Sequence, residues 1–212
     1  AHLLAFHLVA RGIGHVAKEK QNSFFKPVGI HKYSHGGSLR NRRIGRGQRP
    51  LSCKESLHVV FKLDRTRLRS KSLRTHKSFA LTQIILKRYA KKFYINIDQV
   101  SIQNDHIHLL IRTSKRSFFH HFFRVASGQI AQQFLKQGLV ASVDNKKRVT
   151  DTPNNTRLWI NRPFSRVVIG YRARKIVRNY IQLNEQEALG KIKYNKFRLR
   201  GLSSKDWEIL WS

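Results

Sequence analysis

The twenty residues from Tyr94 to Thr113 constrain this chain most, because they read as two strands closed on each other by a tight turn. Ile95 and Ile97 alternate with Asn96 and Asp98, the period of a half-buried strand. Asn104-Asp105 supplies the turn, and His106 to Thr113 resumes the extended pattern. Helical periodicity lies on both sides. Between His76 and Phe93, Leu81, Ile85 and Tyr89 recur at i, i+4, with Lys87, Arg88, Lys91 and Lys92 elsewhere. From Phe118 to Gln137, Phe119, Phe122, Phe123, Ala126, Ile130 and Phe134 form one apolar face. Further strands read at Leu57–Leu63 and Phe164–Ile169, with a short one at Leu139–Val143. Arg172 to Leu189 reads as a last helix, with Gly190 just past its end.

The order from residue 57 is strand, helix, strand, strand, helix, strand, helix. It predicts an α+β domain with a ferredoxin-like or RRM-like antiparallel sheet and helices on one face. Three regions follow: a basic N-terminal arm over 1–56, partly irregular; the folded domain over 57–190; and a basic C-terminal extension over 191–212. The arm is Gly- and Arg-rich from 29 to 56, with almost no apolar periodicity, and also reads as a plain solvated linker. The first sixteen residues, AHLLAFHLVARGIGHV, read as an undetermined leader without a basic n-region.

Charge narrows the partner. Forty-three Lys and Arg against eleven Asp and Glu leave a formal +32. The excess is spread over the chain, +9 in 1–56, +10 in 57–115, +4 in 116–154 and +9 in 155–212. A folded basic surface as well as a basic arm is implied, with a polyanion as default partner. Cys53 is the only cysteine, which excludes a disulfide framework and multi-cysteine zinc sites and points to a reducing cytoplasm. No apolar run is long enough to span a membrane.

Two constellations carry chemistry. On a strand, His106 and His108 project from one face, roughly 6.6 Å apart along the chain, while Ile107, Leu109 and Ile111 enter the core. Paired neutral imidazoles can hold a divalent ion; two polar residues on an open sheet face have the same spacing. In the last helix, Tyr180 and Asn184 lie one turn apart on one face. They offer a phenol and a carboxamide oxygen, or simply a half-buried ring packed on the sheet and an Asn at a helix end. Tyr171, nine residues earlier, is a rival phenol without a polar residue four positions on.

Here the residues reach a resemblance. NDHIHLLIRT resembles the histidine-hydrophobic-histidine motif of HUH single-strand endonucleases, with Asp105 where transposases usually carry Asn. NYIQLNEQEA resembles the tyrosine helix of single-tyrosine transposases, particularly the REP-associated tyrosine transposases. RLWINRPFSRVV resembles the strand that precedes that helix, and HGGSLRNRRIGRGQRPLSCKESLHVVFKL the basic entry segment of one branch. The match runs from about Tyr33 to Gly190 in family order; residues 1–28 and 191–212 have no counterpart.

The resemblance implies an HUH endonuclease fold and a bacterial, nucleoid-associated enzyme acting on single-stranded DNA beside a hairpin, as monomer or homodimer. It implies Tyr180 as nucleophile, and His106, His108 and Asn184 as ligands of Mg²⁺ or Mn²⁺. It departs at Glu185, where many relatives carry Pro, which adds a negative charge near the site. DNA contacts are expected from His35, Gly36, Arg40, Arg42, Arg43, Arg46 and Arg49 in the arm, and from Arg112 and Lys115 after the histidine strand. Asp105 and His121 are candidate outer partners of the site, and Phe118, Phe119 and Trp159 candidate stacking rings. Two other functions fit the composition: a hairpin-binding protein that does not cut, and an RRM-like RNA-binding protein, although the strands carry no RNP-type aromatic motif.

Overall fold

The computed structural model describes residues 32–38, 48–140 and 157–211. Its elements are β1 (Ser34–His35), β2 (Ser56–Lys62), α1 (His76–Lys92), β3 (Asn96–Ile102), β4 (His106–Arg112), α2 (Arg116–Lys136), β5 (Phe164–Val168), α3 (Tyr171–Ala188) and α4 (Ser204–Trp211). The strands form one antiparallel sheet in the order β1-β5-β2-β4-β3. Without β1 this is the expected ferredoxin-like order, with the two central strands separated in sequence by a helix and a strand.

Strand alternation decides what each face does. Leu57 pairs with Ile111, Val59 with Leu109 and Phe61 with Ile107, and all six are at most 1% exposed. Against this apolar face pack Ile85, Leu86 and Ala90 of α1 and Phe119, Phe122, Ala126, Ile130 and Phe134 of α2. Fully burying one such phenylalanine stabilises by about 1.5–3 kcal/mol, so α2, which buries Phe119, Phe122 and Phe134 completely, anchors the fold. The other face is mixed: Val60 pairs with His108 and Lys62 with His106, and His58 with Leu110.

Helices α1 and α2 take one face, as the pattern predicts. Helix α3 crosses the other, where Ile181 joins Leu110 and Val168 in a small apolar cluster edged by Ala173, Val177 and Tyr180. That patch is too small to make α3 strongly apolar, so the helix also leans on β3 through polar contacts, Ser101 to Glu185 and Gln103 to the Asn184 carbonyl.

Both flanks join the sheet or its helices. Ser34 and His35 pair with Arg166 and Ser165, so part of the expected arm is an ordered edge strand. Leu183 of α3 packs with Ile192 and Leu210, which folds the C-terminal residues back onto that helix. Of the expected strand at Leu139–Val143, Val140 makes one bridge to Leu68; residues 141–143 lie outside the described residues, as do the leader, Arg40, Arg42, Arg43 and Arg46. Among the described residues no helix is long and apolar enough to cross a membrane.

Candidate functional site

The site lies between the α3-facing side of β4 and α3. The His106 and His108 rings sit edge to face with centroids 4.7 Å apart. The Tyr180 ring stands nearly perpendicular to His108 at 5.7 Å. A phenol and two imidazoles are therefore brought together within one chain. The rival, Tyr171, starts α3 and is exposed.

Each imidazole has one nitrogen already engaged. His106 Nδ1 lies 2.6 Å from Asp105 Oδ1, a contact made by the turn residue just before the strand. His108 Nδ1 lies 3.1 Å from His58 Nε2, whose ring is nearly coplanar with it at 5.3 Å. Nε2 of His106 and of His108 has no hydrogen-bond partner among the described residues. Burial, followed by the charges of His58, His106 and Arg198, holds His108 well below the usual imidazole range. Burial and then Arg166 push His58 down to about 4. Both rings are neutral near pH 7, the form in which an imidazole can be a ligand.

Sequence reasoning missed His58. The signal was present: His58, Val60 and Lys62 share the strand face opposite Leu57, Val59 and Phe61. What it lacked was the register, which sets His58 beside Leu110 and so diagonally within reach of His108.

Asn184 sits one turn beyond Tyr180 and is buried. Its Oδ1 accepts from Arg198, while its Nδ2 is buried with no hydrogen-bond partner among the described residues. Arg198 also donates twice to Glu187 at 2.8 Å and lies over the rings of Tyr180 at 5.3 Å and Tyr194 at 5.1 Å. This residue comes from the extension that had no counterpart in the family pattern, and its backbone φ of 55° is a left-handed value that a non-glycine residue rarely adopts. Glu185 bonds Ser101, the cross-strand partner of His108, at 3.0 Å and Arg74 at 3.1 Å, so its charge is met by Arg74 beside the histidine strand.

The predicted basic contacts separate. Arg112 is forked onto Asp98, with bonds of 2.9–3.2 Å, and Asp98 also takes Arg174. Arg112 also stands four residues beyond His108, roughly 13 Å along the strand. Lys115 lies further still, over the Phe118 ring. Asp105 is the only one of the two candidate outer partners at the site; His121 stacks on Phe93 on the α1/α2 side. Phe119 is core, Phe118 packs beside Tyr94, and Trp159 lies tilted against Phe61 and donates to the Ser127 carbonyl.

His35 and Arg49 instead line a cavity of about 610 Å³ with His120, Arg124 and Arg162, and among the described residues no carboxylate lines it. Arg49 donates to the Pro163 carbonyl at 2.9 Å and to Ser165 Oγ at 2.6 Å, and covers Phe123 at 5.2 Å. Burial and Arg162 lower its pKa to about 10. Gly36 forms the tight edge: at φ 82° a Cβ would meet the Pro163 oxygen at 2.2 Å.

As a metal centre the donor set is limited. Among the described residues no group of three His, Cys, Asp or Glu side chains could hold an ion. Two imidazoles with free Nε2 atoms and a carboxamide oxygen already turned toward a cation do fit a borderline-to-hard divalent ion. That oxygen has two lone pairs, one of them used by Arg198.

Sheet order and helix placement define a ferredoxin-like α+β fold with its polar site on the helix-α3 face. No family model and no curated protein matches the sequence. Among solved structures the chain is similar to a REP-associated tyrosine transposase bound to a REP hairpin, with 12% identity over 71% of this chain and 77% of that one and a TM-score of 0.51. It is also matched to a candidate transposase from Deinococcus radiodurans R1, at 14% identity over 68% and 98% with a TM-score of 0.38. The first likeness establishes the shared fold.

Proposed function

We propose that this chain is a transposase-type enzyme that cuts and rejoins single-stranded DNA beside a hairpin, with Tyr180 as nucleophile. The observation that carries this reading is the Tyr180 ring 5.7 Å from His108, itself 4.7 Å from His106. A fold shared with a hairpin-bound transposase supports it.

The phenolic oxygen of Tyr180 attacks the phosphorus in line and forms a 5′-phosphotyrosine bond. The bond to the 3′ oxygen breaks, and that oxygen leaves as a hydroxyl carrying the proton the phenol has lost. The energy of the broken linkage stays in the new one, so a 3′-hydroxyl can reverse the step without ATP. Mg²⁺ or Mn²⁺ at His106 and His108, with Asn184 as a further ligand, would neutralise charge on the scissile phosphate. Asp105 and His58 hold the two imidazoles by their Nδ1 atoms. Arg49, Arg124 and Arg162 take DNA phosphates in the cavity behind the sheet edge.

The Arg198 guanidinium on Asn184 favours a second reading, a hairpin-binding protein that does not cut. The test is a covalent adduct on denaturing gels, using hairpin-bearing single-stranded DNA with Mg²⁺ or Mn²⁺. The enzymatic reading expects an adduct with the wild type and none with Tyr180→Phe or His106→Ala. Salt-sensitive binding without any adduct selects the second reading, and preference for RNA over DNA in competition would remove both.

A further inference from the structure

We infer that His58 is a positioning residue that fixes the tautomer of His108, so that His108 offers its Nε2 lone pair to a divalent cation. The inference rests on the metal reading above and adds a residue to it. Its ground is geometric. His58 Nε2 and His108 Nδ1 are 3.1 Å apart, and two neutral imidazole nitrogens at that separation share one proton.

Only two arrangements exist. If His58 donates, His108 accepts at Nδ1, carries its own proton on Nε2 and has no lone pair to give a metal there. If His108 donates from Nδ1, His58 accepts at Nε2 and His108 Nε2 is bare. The second arrangement parallels His106, whose Nδ1 faces the carboxylate of Asp105 at 2.6 Å. A carboxylate accepts, so a neutral His106 likewise carries its proton on Nδ1 and leaves Nε2 bare. One strand thus presents two imidazoles in the same tautomer, one set by an acidic neighbour in the turn, the other by a histidine from the adjacent strand. The near-coplanar rings, 15° apart, suit a directional N–H···N bond rather than face-to-face packing. An aliphatic residue at 58 would fill the same space beside Phe164 and Tyr180, so packing alone does not call for a nitrogen.

Two variants separate the bond from the bulk. His58→Gln places an amide oxygen near the Nε2 position and keeps the acceptor; His58→Leu keeps the volume and removes it. The first readout needs no metal: ¹⁵N shifts of the His108 ring in EDTA should show Nδ1–H in the wild type and in His58→Gln. In His58→Leu the ring should shift toward Nε2–H. The second is Mn²⁺ binding followed by electron paramagnetic resonance, where His58→Leu should weaken affinity roughly 10–100-fold and His58→Gln should stay close to wild type. An Nε2–H tautomer in the wild type overturns the inference, as does unaltered Mn²⁺ affinity in His58→Leu. Equal loss in folded Leu and Gln variants also overturns it, by assigning His58 a steric role. A wild type that shows the Nδ1–H tautomer yet binds no Mn²⁺ would sink the metal reading and leave the tautomer assignment standing.

Discussion

Arg198→Ala tests whether the C-terminal residues are part of the site or an appendage. Arg198 makes two bonds of 2.8 Å to the Glu187 carboxylate and one to Asn184 Oδ1. The arginine side chain is 23% exposed and the glutamate 13%. Breaking a fully buried pair costs about 3–5 kcal/mol, because the partner charge is stranded; an exposed pair is worth about 0–1 kcal/mol. Partial exposure places this one between, and the amide oxygen left unpaired adds roughly 1 kcal/mol. A loss of about 2–3 kcal/mol is expected in urea denaturation at pH 7, read as a lower midpoint with an unchanged m-value. Glu187→Gln should cost less, and the double variant should recover part of the loss, since neither charge is then stranded. If Arg198→Ala shifts stability by less than about 0.5 kcal/mol, the size of an ordinary surface substitution, the network is decorative and the argument from burial is wrong.

Gly36→Ala should loosen β1 from β5, because the added Cβ meets the Pro163 oxygen at 2.2 Å; amide exchange should accelerate at Gly37 and Val167, which bond Arg162 and Tyr33 across that edge, and stay slow in β4. Metal-free protein should lose stability as pH falls: His58, at about 4 when folded and about 6.5 unfolded, makes the unfolded chain bind more protons between those values. The loss in that window approaches about 1.4 kcal/mol per pH unit for this group, and a thermal melt flat from pH 7 to 4.5 in EDTA would contradict it. DNA affinity should fall steeply with salt, and Arg124→Gln and Arg162→Gln should each flatten the log–log slope by about 0.7 for single strands; an unchanged slope removes the cavity from the interface. Mixing Tyr180→Phe with His106→Ala should restore no adduct, since the phenol and imidazoles of one chain already face each other; recovered cleavage would show the tyrosine serving a partner.

The elements were readable because their periodicities are strong and local. The six-residue apolar face of α2 and the hairpin turn at Asn104-Asp105 needed no tertiary information, and each predicted element other than the short strand at Leu139–Val143 lies within a few residues of the observed one. What the chain did not disclose is what depends on register or on distant segments. Ser34–His35 reads as arm because two residues carry no period, and only pairing with β5 makes them a strand. His58 reads as one polar residue in an apolar strand until β2 and β4 are aligned. Arg198 looks like any other arginine in a basic tail, and only the fold of 191–211 onto α3 sets it on Asn184. Arg112 reads as a DNA contact because its acidic partner, Asp98, lies fourteen residues away at the irregularity between Ile97 and Gln99 of β3.

The two faces of the sheet explain where such a basic chain finds room for a site built of imidazoles and a phenol. One face is spent wholly on the core, with α1 and α2 supplying the burial that opposes self-repulsion. The other is left with histidines, and α3 covers it through only a small apolar cluster and polar bonds to β3. A site assembled this way needs its charges matched locally, and they are. Asp105 faces His106, Glu187 and Asn184 hold Arg198, and Arg74 with Ser101 holds Glu185. Four acids of this acid-poor chain, Asp98, Asp105, Glu185 and Glu187, thus hold a cation or imidazole in place, while Arg124 and Arg162 are left for the cavity behind β5. That division, with fixed polar groups beside the phenol and positive charge around the sheet edge, is what the proposed reaction requires: a broad grip on a polyanion and attack at one phosphate.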